Sequence, residues 1–276
     1  MFFRRSFALS CMAPLLGAAM LSGCTGFAPA ADAPIDRRVA TLLPADALLL
    51  GEQHDASEHQ VIERETVLAL AGRGRLAAVA IEMAEEGNST AHLPTDASEA
   101  QVQAALSWND KGWPWAAYGP VVMAAVRAGV PVVGANLQRA HMKDAMSDVS
   151  LDAQLNDDAR ASQREAVRSG HCNLLPEAQI VPMTRIQIAR DRAMAQAVVK
   201  AKQPGKTVLL VSGAGHSNKR LGVPQHMPTD VSVKVVRMRA GPADATDGAF
   251  DVVWATPALP EKDYCAGVKA PARPQG

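Results

Sequence analysis

The sequence predicts an α/β fold: a mostly parallel central sheet flanked by helices, with an inserted helical cap region. Three observations carry this expectation. Four short apolar runs, Leu48–Leu50, Leu76–Ile81, Val130–Ala135 and Thr207–Val211, suit strands buried on both faces, as a parallel sheet requires. Helix-length segments lie between them, giving the strand–helix–strand order of right-handed βαβ units. Each run also stops abruptly at polar groups: Gly51-Glu52-Gln53-His54-Asp55, Glu82-Met83, Asn136, and Ser212-Gly213-Ala214-Gly215-His216.

Residues 1–23 read as a lipoprotein signal peptide, with Arg4 and Arg5 as the basic region and an apolar stretch from Phe7 to Met20. Leu21-Ser22-Gly23-Cys24 resembles the bacterial lipobox, which makes Cys24 the lipidated residue and the protein an exported one. Residues 24–45, rich in Ala, Pro and Asp, are expected to form a flexible tether. The chain beyond the tether is long enough for one domain with a full core, placed at 46–256, and the proline-rich tail 257–276 is expected to be poorly ordered.

In chain order, Ser57 with Gln60 has capping-box spacing and opens a helix ending at Gly72. Residues 96–107 form a second helix, capped by Asp96 or Ser98. Three of the four tryptophans fall between Trp108 and Trp115, a cluster that suits a packing wedge more than a ligand platform. Tyr118 opens the next helix, with Pro120 in its first turn. Residues 138–178 alternate short polar helices with Asp-rich turns, the inserted cap. The longest helix runs from Ile180 to Lys202, and Met183, Gln187, Arg190 and Met194 share one of its faces, as core filler or as a semi-buried surface. Residues 231–238 and 249–254 alternate as two further strands at a sheet edge.

Formal net charge is zero and no Lys/Arg run stands out beyond the signal peptide, which argues against nucleic acid as a partner. With Cys11 in the signal peptide and Cys24 assigned to lipid, Cys172 and Cys265 remain, and an oxidising compartment predicts a disulfide between them. Gly213-Ala-Gly215 lacks the third glycine of a dinucleotide fingerprint and the Lys of a P-loop. There is no Gly-x-Ser-x-Gly elbow and no His-Glu-x-x-His helix.

Ligands of open parallel sheets bind beyond the carboxyl ends of the strands. Those ends bring Glu52, His54, Glu82, Asn136 and His216 toward one crevice. Such a set can bind a metal ion or metal-bearing cofactor through His54 and His216, or it can perform acid–base work on a bound water with Glu52, His54, Glu82 and His216 as catalytic groups. His59 and His92 are expected at the surface, and His226 lies where it could reach the crevice.

A longer set of segments carries a resemblance: Gly51-Glu-Gln-His54-Asp55, Ile81-Glu82-Met83, Trp115 to Pro120, Gly134-Ala-Asn136-Leu-Gln-Arg139, Gly170-His171-Cys172, Gln187-Ile-Ala-Arg190-Asp191-Arg-Ala-Met194, and Gly213-Ala-Gly215-His216 with Gly222-Val-Pro224. In this order, over about residues 45 to 226, they resemble the ChaN-like haem-binding lipoproteins. The resemblance implies a lipid-anchored protein of haem and iron acquisition, in the outer membrane and facing the periplasm. It also implies haem as cofactor, a homodimer holding two haems face to face, and an outer-membrane haem transporter as partner. That family is similar in turn to the Tiki, TraB and erythromycin-esterase superfamily, whose paired Gly-x-x-His and Gly-x-His elements support metal-dependent or His/Glu hydrolysis. Gly51-Glu-Gln-His54 and Gly215-His216 match the pairing. Haem needs an axial ligand, apolar contact and cationic partners for its propionates. His54, His216, His171 or Tyr118 could meet the first need, Tyr118 being the better phenolate of the two tyrosines. Met183, Met194 and the tryptophans could meet the second, and Arg139, Arg185 or Arg190 the third, with Glu82, Asn136 and Gln187 lining the same site.

Overall fold

The computed structural model describes residues 33–243 and 248–268. Residues 1–23, expected to be a signal peptide, Cys24 and the last residues of the tail lie outside them. Six strands, β1 (Ala47–Glu52), β2 (Leu76–Glu85), β3 (Val132–Asn136), β4 (Thr207–Gly213), β5 (Val233–Ala240) and β6 (Val252–Thr256), form one sheet in the order β3-β2-β4-β1-β5-β6. Every pairing is parallel. The chain builds from β1 outward to β3, returns to insert β4 between β2 and β1, and then extends to the other edge through β5 and β6. Direction therefore reverses at the centre of the sheet, where ligand crevices of such folds open.

The helices are α1 (Ile35–Ala40), α2 (Ser57–Gly72), α3 (Glu99–Ala105), α4 (Trp115–Arg127), α5 (Met142–Ser147), α6 (Asp157–Gly170), α7 (Glu177–Ala201) and the single turn α8 (Ala214–Ser217). Alternation along each strand divides the core in two. Leu48, Leu50, Val79, Ile81, Leu209 and Val211 pack with Val67 and Leu70 of α2 and Val121 and Val122 of α4. Ala47, Leu49, Ala78, Ala80, Val208 and Leu210 face α7, meeting Met194, Ala195 and Val198. The small residues of β2 on this side let α7 approach closely. A third cluster, with Leu151, Leu155, Ile186 and Ile188, joins the segment between β3 and α7 to the outer part of α7 and forms the cap.

Several expectations need correction. The range expected as a tether contains α1, whose Ile35 and Val39 are buried in the main core. The tail is placed as far as residue 268, and Cys265 in it is bonded to Cys172 at a Cα–Cα distance of 5.6 Å. Ser57 does not cap α2: the N-cap is Ala56 without a side-chain bond, and Gln60 turns inward instead. The capping box belongs to α3, between Ser98 and Gln101. His59 is fully buried, not at the surface, with Nδ1 accepting from the Gln53 amide at 2.9 Å and Nε2 lying 3.1 Å from Thr256 Oγ1.

One close approach positions the site. The pairing of β2 with β3 shifts between Ile81, opposite Gly134, and Glu85, opposite Asn136, so that Glu82 is carried on an irregular stretch. A Cβ at Gly134 would lie 2.0 Å from the Glu85 carbonyl oxygen. Gly134→Ala should therefore force the two backbones apart and destabilise the protein by about 3 kcal/mol, measured as the shift in urea unfolding midpoint; an unchanged midpoint would show that the shifted register is not under steric control.

Candidate functional site

The carboxyl ends of β1, β2 and β4 converge, and each delivers one member of a linked polar cluster. Glu52, the last residue of β1, is 2 % exposed. Its Oε1 accepts from the Tyr118 hydroxyl at 2.7 Å and lies 2.8 Å from His54 Nδ1, while Oε2 accepts from Gln60 Nε2 at 2.5 Å. Donors from β1's own turn, from α2 and from α4 thus hold one carboxylate. His54 packs edge-on against Trp113, with ring centroids 4.9 Å apart, and Trp113 in turn meets Tyr118. Its side chain keeps 42 % of its surface open, and Nε2 has no hydrogen-bond partner among the described residues.

The second half of the cluster is a line of three groups. Glu82 Oε2 accepts from the Gly213 amide at 2.7 Å, and Oε1 lies 3.5 Å from His216 Nε2. His216 Nδ1 donates to Asp191 Oδ1 at 2.6 Å from α7. The halves touch at Gly213, where a Cβ would fall 2.9 Å from His54 Nε2 and 3.6 Å from Glu82 Oε2. Absence of a side chain there is what allows the two histidine–carboxylate groups to share one floor.

The electrostatics follow from burial and from these partners. Burial opposes the charge on Glu82, yet His216 and then His54 outweigh it and bring its pKa to about 2. Burial likewise opposes the charge on His216, but Glu82 and Asp191 overcome it and raise the imidazole to about 10. Asp191 is lifted to about 6 by burial, with His216 pulling the other way. For His54, burial is exceeded by the bond to Glu52 and the field of Glu82, and the pKa is raised. Behind Glu52, Glu63 is wholly buried, and no described donor reaches either of its carboxyl oxygens. Burial and then the adjacent Glu52 raise its pKa well above the ordinary range, which favours its neutral form.

These states decide what the arrangement can do. His216, with its pKa raised to about 10 and a carboxylate facing each ring nitrogen, suits an acid and an electrostatic anchor. Tyr118 is 1 % exposed and donates its hydroxyl to Glu52, and burial together with Glu52 raises its pKa. Among the described residues no group of three or more His, Cys, Asp or Glu side chains could hold a metal ion, and the divalent metal finds no support.

The crevice above this floor encloses about 710 Å³ and is lined by Glu52 to Asp55, Gly213 to His216, Arg237 to Arg239, Lys262 and Tyr264. Other expected site residues are dispersed. Asn136 donates to the Glu82 carbonyl at 3.0 Å and, with Arg139 and Arg190, lines a second cavity of about 160 Å³ whose wall also includes Glu82 and Trp113. His171 and Gln187 line another, of about 230 Å³, whose wall includes the back of His216. Met194 is fully buried under the sheet and Met183 packs into the cap, so both are core residues. Arg185 is held by Asp152 through two bonds and ties α7 to the cap. His226, partly buried, does not line the crevice, and His92 is exposed. Asp191, Gln60, Glu63 and Tyr264 were not expected at the site. The first three lie on helices, where only a polar side chain on a core-facing side could have signalled them.

The family described as "Haem-binding uptake, Tiki superfamily, ChaN" matches residues 38–227, and the chain belongs to it. ChaN of Campylobacter jejuni, the subject of a structure of cofacial heme binding, is 24 % identical over 75 % of this chain and 86 % of its own, with a TM-score of 0.64. That likeness establishes a shared fold. The type III effector HopBA1 is 16 % identical over 83 % of this chain and 95 % of its own, with a TM-score of 0.47. No curated protein matches the chain.

The raised pKa of His216 is also a statement about stability. Its contribution is fully present below the ordinary value of 6.5 and is lost as pH rises through about 10. Urea unfolding across that window should show stability falling with pH in the native protein and a flatter profile in His216→Gln; parallel profiles would mean that His216 is not held charged.

Proposed function

We propose that this member of the ChaN family binds haem in the strand-end crevice, as an exported lipoprotein of haem and iron acquisition. The observation that carries the reading is His54: half-open, oriented through Nδ1 by Glu52, with Nε2 without a partner among the described residues. A metal-ligating histidine characteristically gives its other ring nitrogen to a carboxylate. The remaining demands of haem are met nearby, with Trp113 and Met238 for apolar contact and Arg237, Arg239 and Lys262 on the cationic side of the same crevice. His54 would hold the iron of bound haem through Nε2, and Glu52 would keep the imidazole oriented through Nδ1. The family's identity with haem uptake supports the ligand.

The anchor at Cys24, an outer-membrane position facing the periplasm, a homodimer and a partner transporter rest on the lipobox and the family resemblance. No helix among the described residues is long and apolar enough to cross a membrane. A hydrolytic role for the same residues would need His54 as the base, because His216 already carries its proton.

Haemin titration of the purified mature protein should give a saturable Soret shift that His54→Ala weakens at least tenfold, whereas a wild-type protein without saturation refutes haem binding. Expressed from its full-length gene, the protein should partition with membranes and release a lipid-modified N-terminal peptide, and Cys24→Ser should move it to the soluble fraction. Wild-type protein found soluble would exclude the anchor.

A further inference from the structure

One wall of the crevice comes from neither the strand ends nor the family-matched region. The matched region ends at residue 227, and the wall is formed by Lys262 and Tyr264, far beyond it. None of residues 257–268 is buried, so this segment contributes no core of its own. It is nevertheless fastened at several points. The Tyr264 hydroxyl donates to Asp55 Oδ2 at 2.7 Å and accepts from Gln53 Nε2 at 3.2 Å, on both sides of His54 in the chain. Lys262 Nζ lies 3.8 Å from Asp55 Oδ2 and 4.9 Å from the centre of the Tyr264 ring. Next to Tyr264, Cys265 is joined to Cys172, the neighbour of His171, which walls the cavity behind His216. Cys172 and Asn173 both hold φ of 57°, a left-handed turn that aims the sulfur at the segment. The fastenings run to the turn that carries His54 and, through Cys172, to the end of α6 behind His216.

With its hydroxyl tied down, Tyr264 keeps 56 % of its surface open, and the Lys262 ammonium stands beside it. An aromatic face next to a cation matches a flat apolar ligand that carries carboxylates at its edge. We propose that residues 257–268 are a ligand-contacting wall of the crevice, in which Tyr264 meets the porphyrin face and Lys262 a propionate, and which the Cys172–Cys265 bridge holds in place. This rests on the haem reading of the same site. The bridge then has a role beyond restricting the unfolded chain: it fixes the position of two binding side chains whose other anchors are surface contacts, each weak alone.

The test is haemin titration followed in the Soret band for wild type, Lys262→Ala, Tyr264→Ala and the double variant Cys172→Ser/Cys265→Ser, with thermal unfolding recorded for each. Lys262 and Tyr264 are exposed, so their variants are expected to fold. Each single variant should weaken haemin binding about threefold to fivefold without a change in melting temperature, the scale of one partly exposed contact. The double serine variant should weaken binding at least as much. Equal affinities in all four proteins, even with a lowered melting temperature in the double variant, would leave the bridge a purely stabilising crosslink and overturn the wall. Tighter binding in the variants would make the segment an obstruction and overturn it as well. A wild-type protein without a saturable shift removes the haem reading and the wall together, so the two failures are distinguishable.

Discussion

Four carboxyl groups, Glu52, Glu63, Glu82 and Asp191, are buried within one small region, and the structure depends on keeping them from repelling one another. Water is excluded from most of them, so the solution is built from protein groups. His216 lies between Glu82 and Asp191 and carries charge for both. Burial beside Glu52 raises the pKa of Glu63 and so favours its uncharged form. Tyr118, Gln60 and His54 then turn three donors on Glu52. Removing one partner would leave an uncompensated buried charge, a large cost for any fold.

This network explains why so many elements must arrive at one point. β1 and β4 are neighbours at the centre of the sheet, which brings Glu52 and Gly213 into register. β2 lies beside β4 and supplies Glu82 across the glycine. α2 reaches over the end of β1 with Gln60 and Glu63, and α7 closes from the opposite face with Asp191. The two faces of the sheet therefore contribute opposite sides of the cluster, and the open face is left to His54 and the crevice.

Much of the fold was legible because parallel strands buried on both faces are written as continuous apolar runs, and all four such runs are strands. The meeting of Glu52, His54, Glu82 and His216 followed from their place at strand ends. The helical contributions were opaque for a physical reason. Gln60 sits at capping-box spacing from Ser57, so a local signal concealed a tertiary one. Asp191 falls in a long helix rich in charge, where a buried acid resembles its exposed neighbours. The phenol of Tyr118 suggests a ligand by residue type, and no local signal shows that it is 1 % exposed and donates to Glu52. The tail reads as disorder by composition, and the bond of Cys265 to Cys172, which the cysteine count did predict, is what contradicts that reading.

The tryptophan cluster acquires an optical meaning from its position. Trp113 lies 4.9 Å from His54, and Trp108 and Trp115 extend from it through contacts with Tyr118 and with each other. Trp254 is on β6, at the far edge of the sheet, beneath the Arg38 guanidinium. Three indoles thus cluster on the His54 side of the crevice and one stands apart as an internal reference. The protein's own emission is weighted toward the site, and energy transfer to any bound chromophore would be recorded without a label.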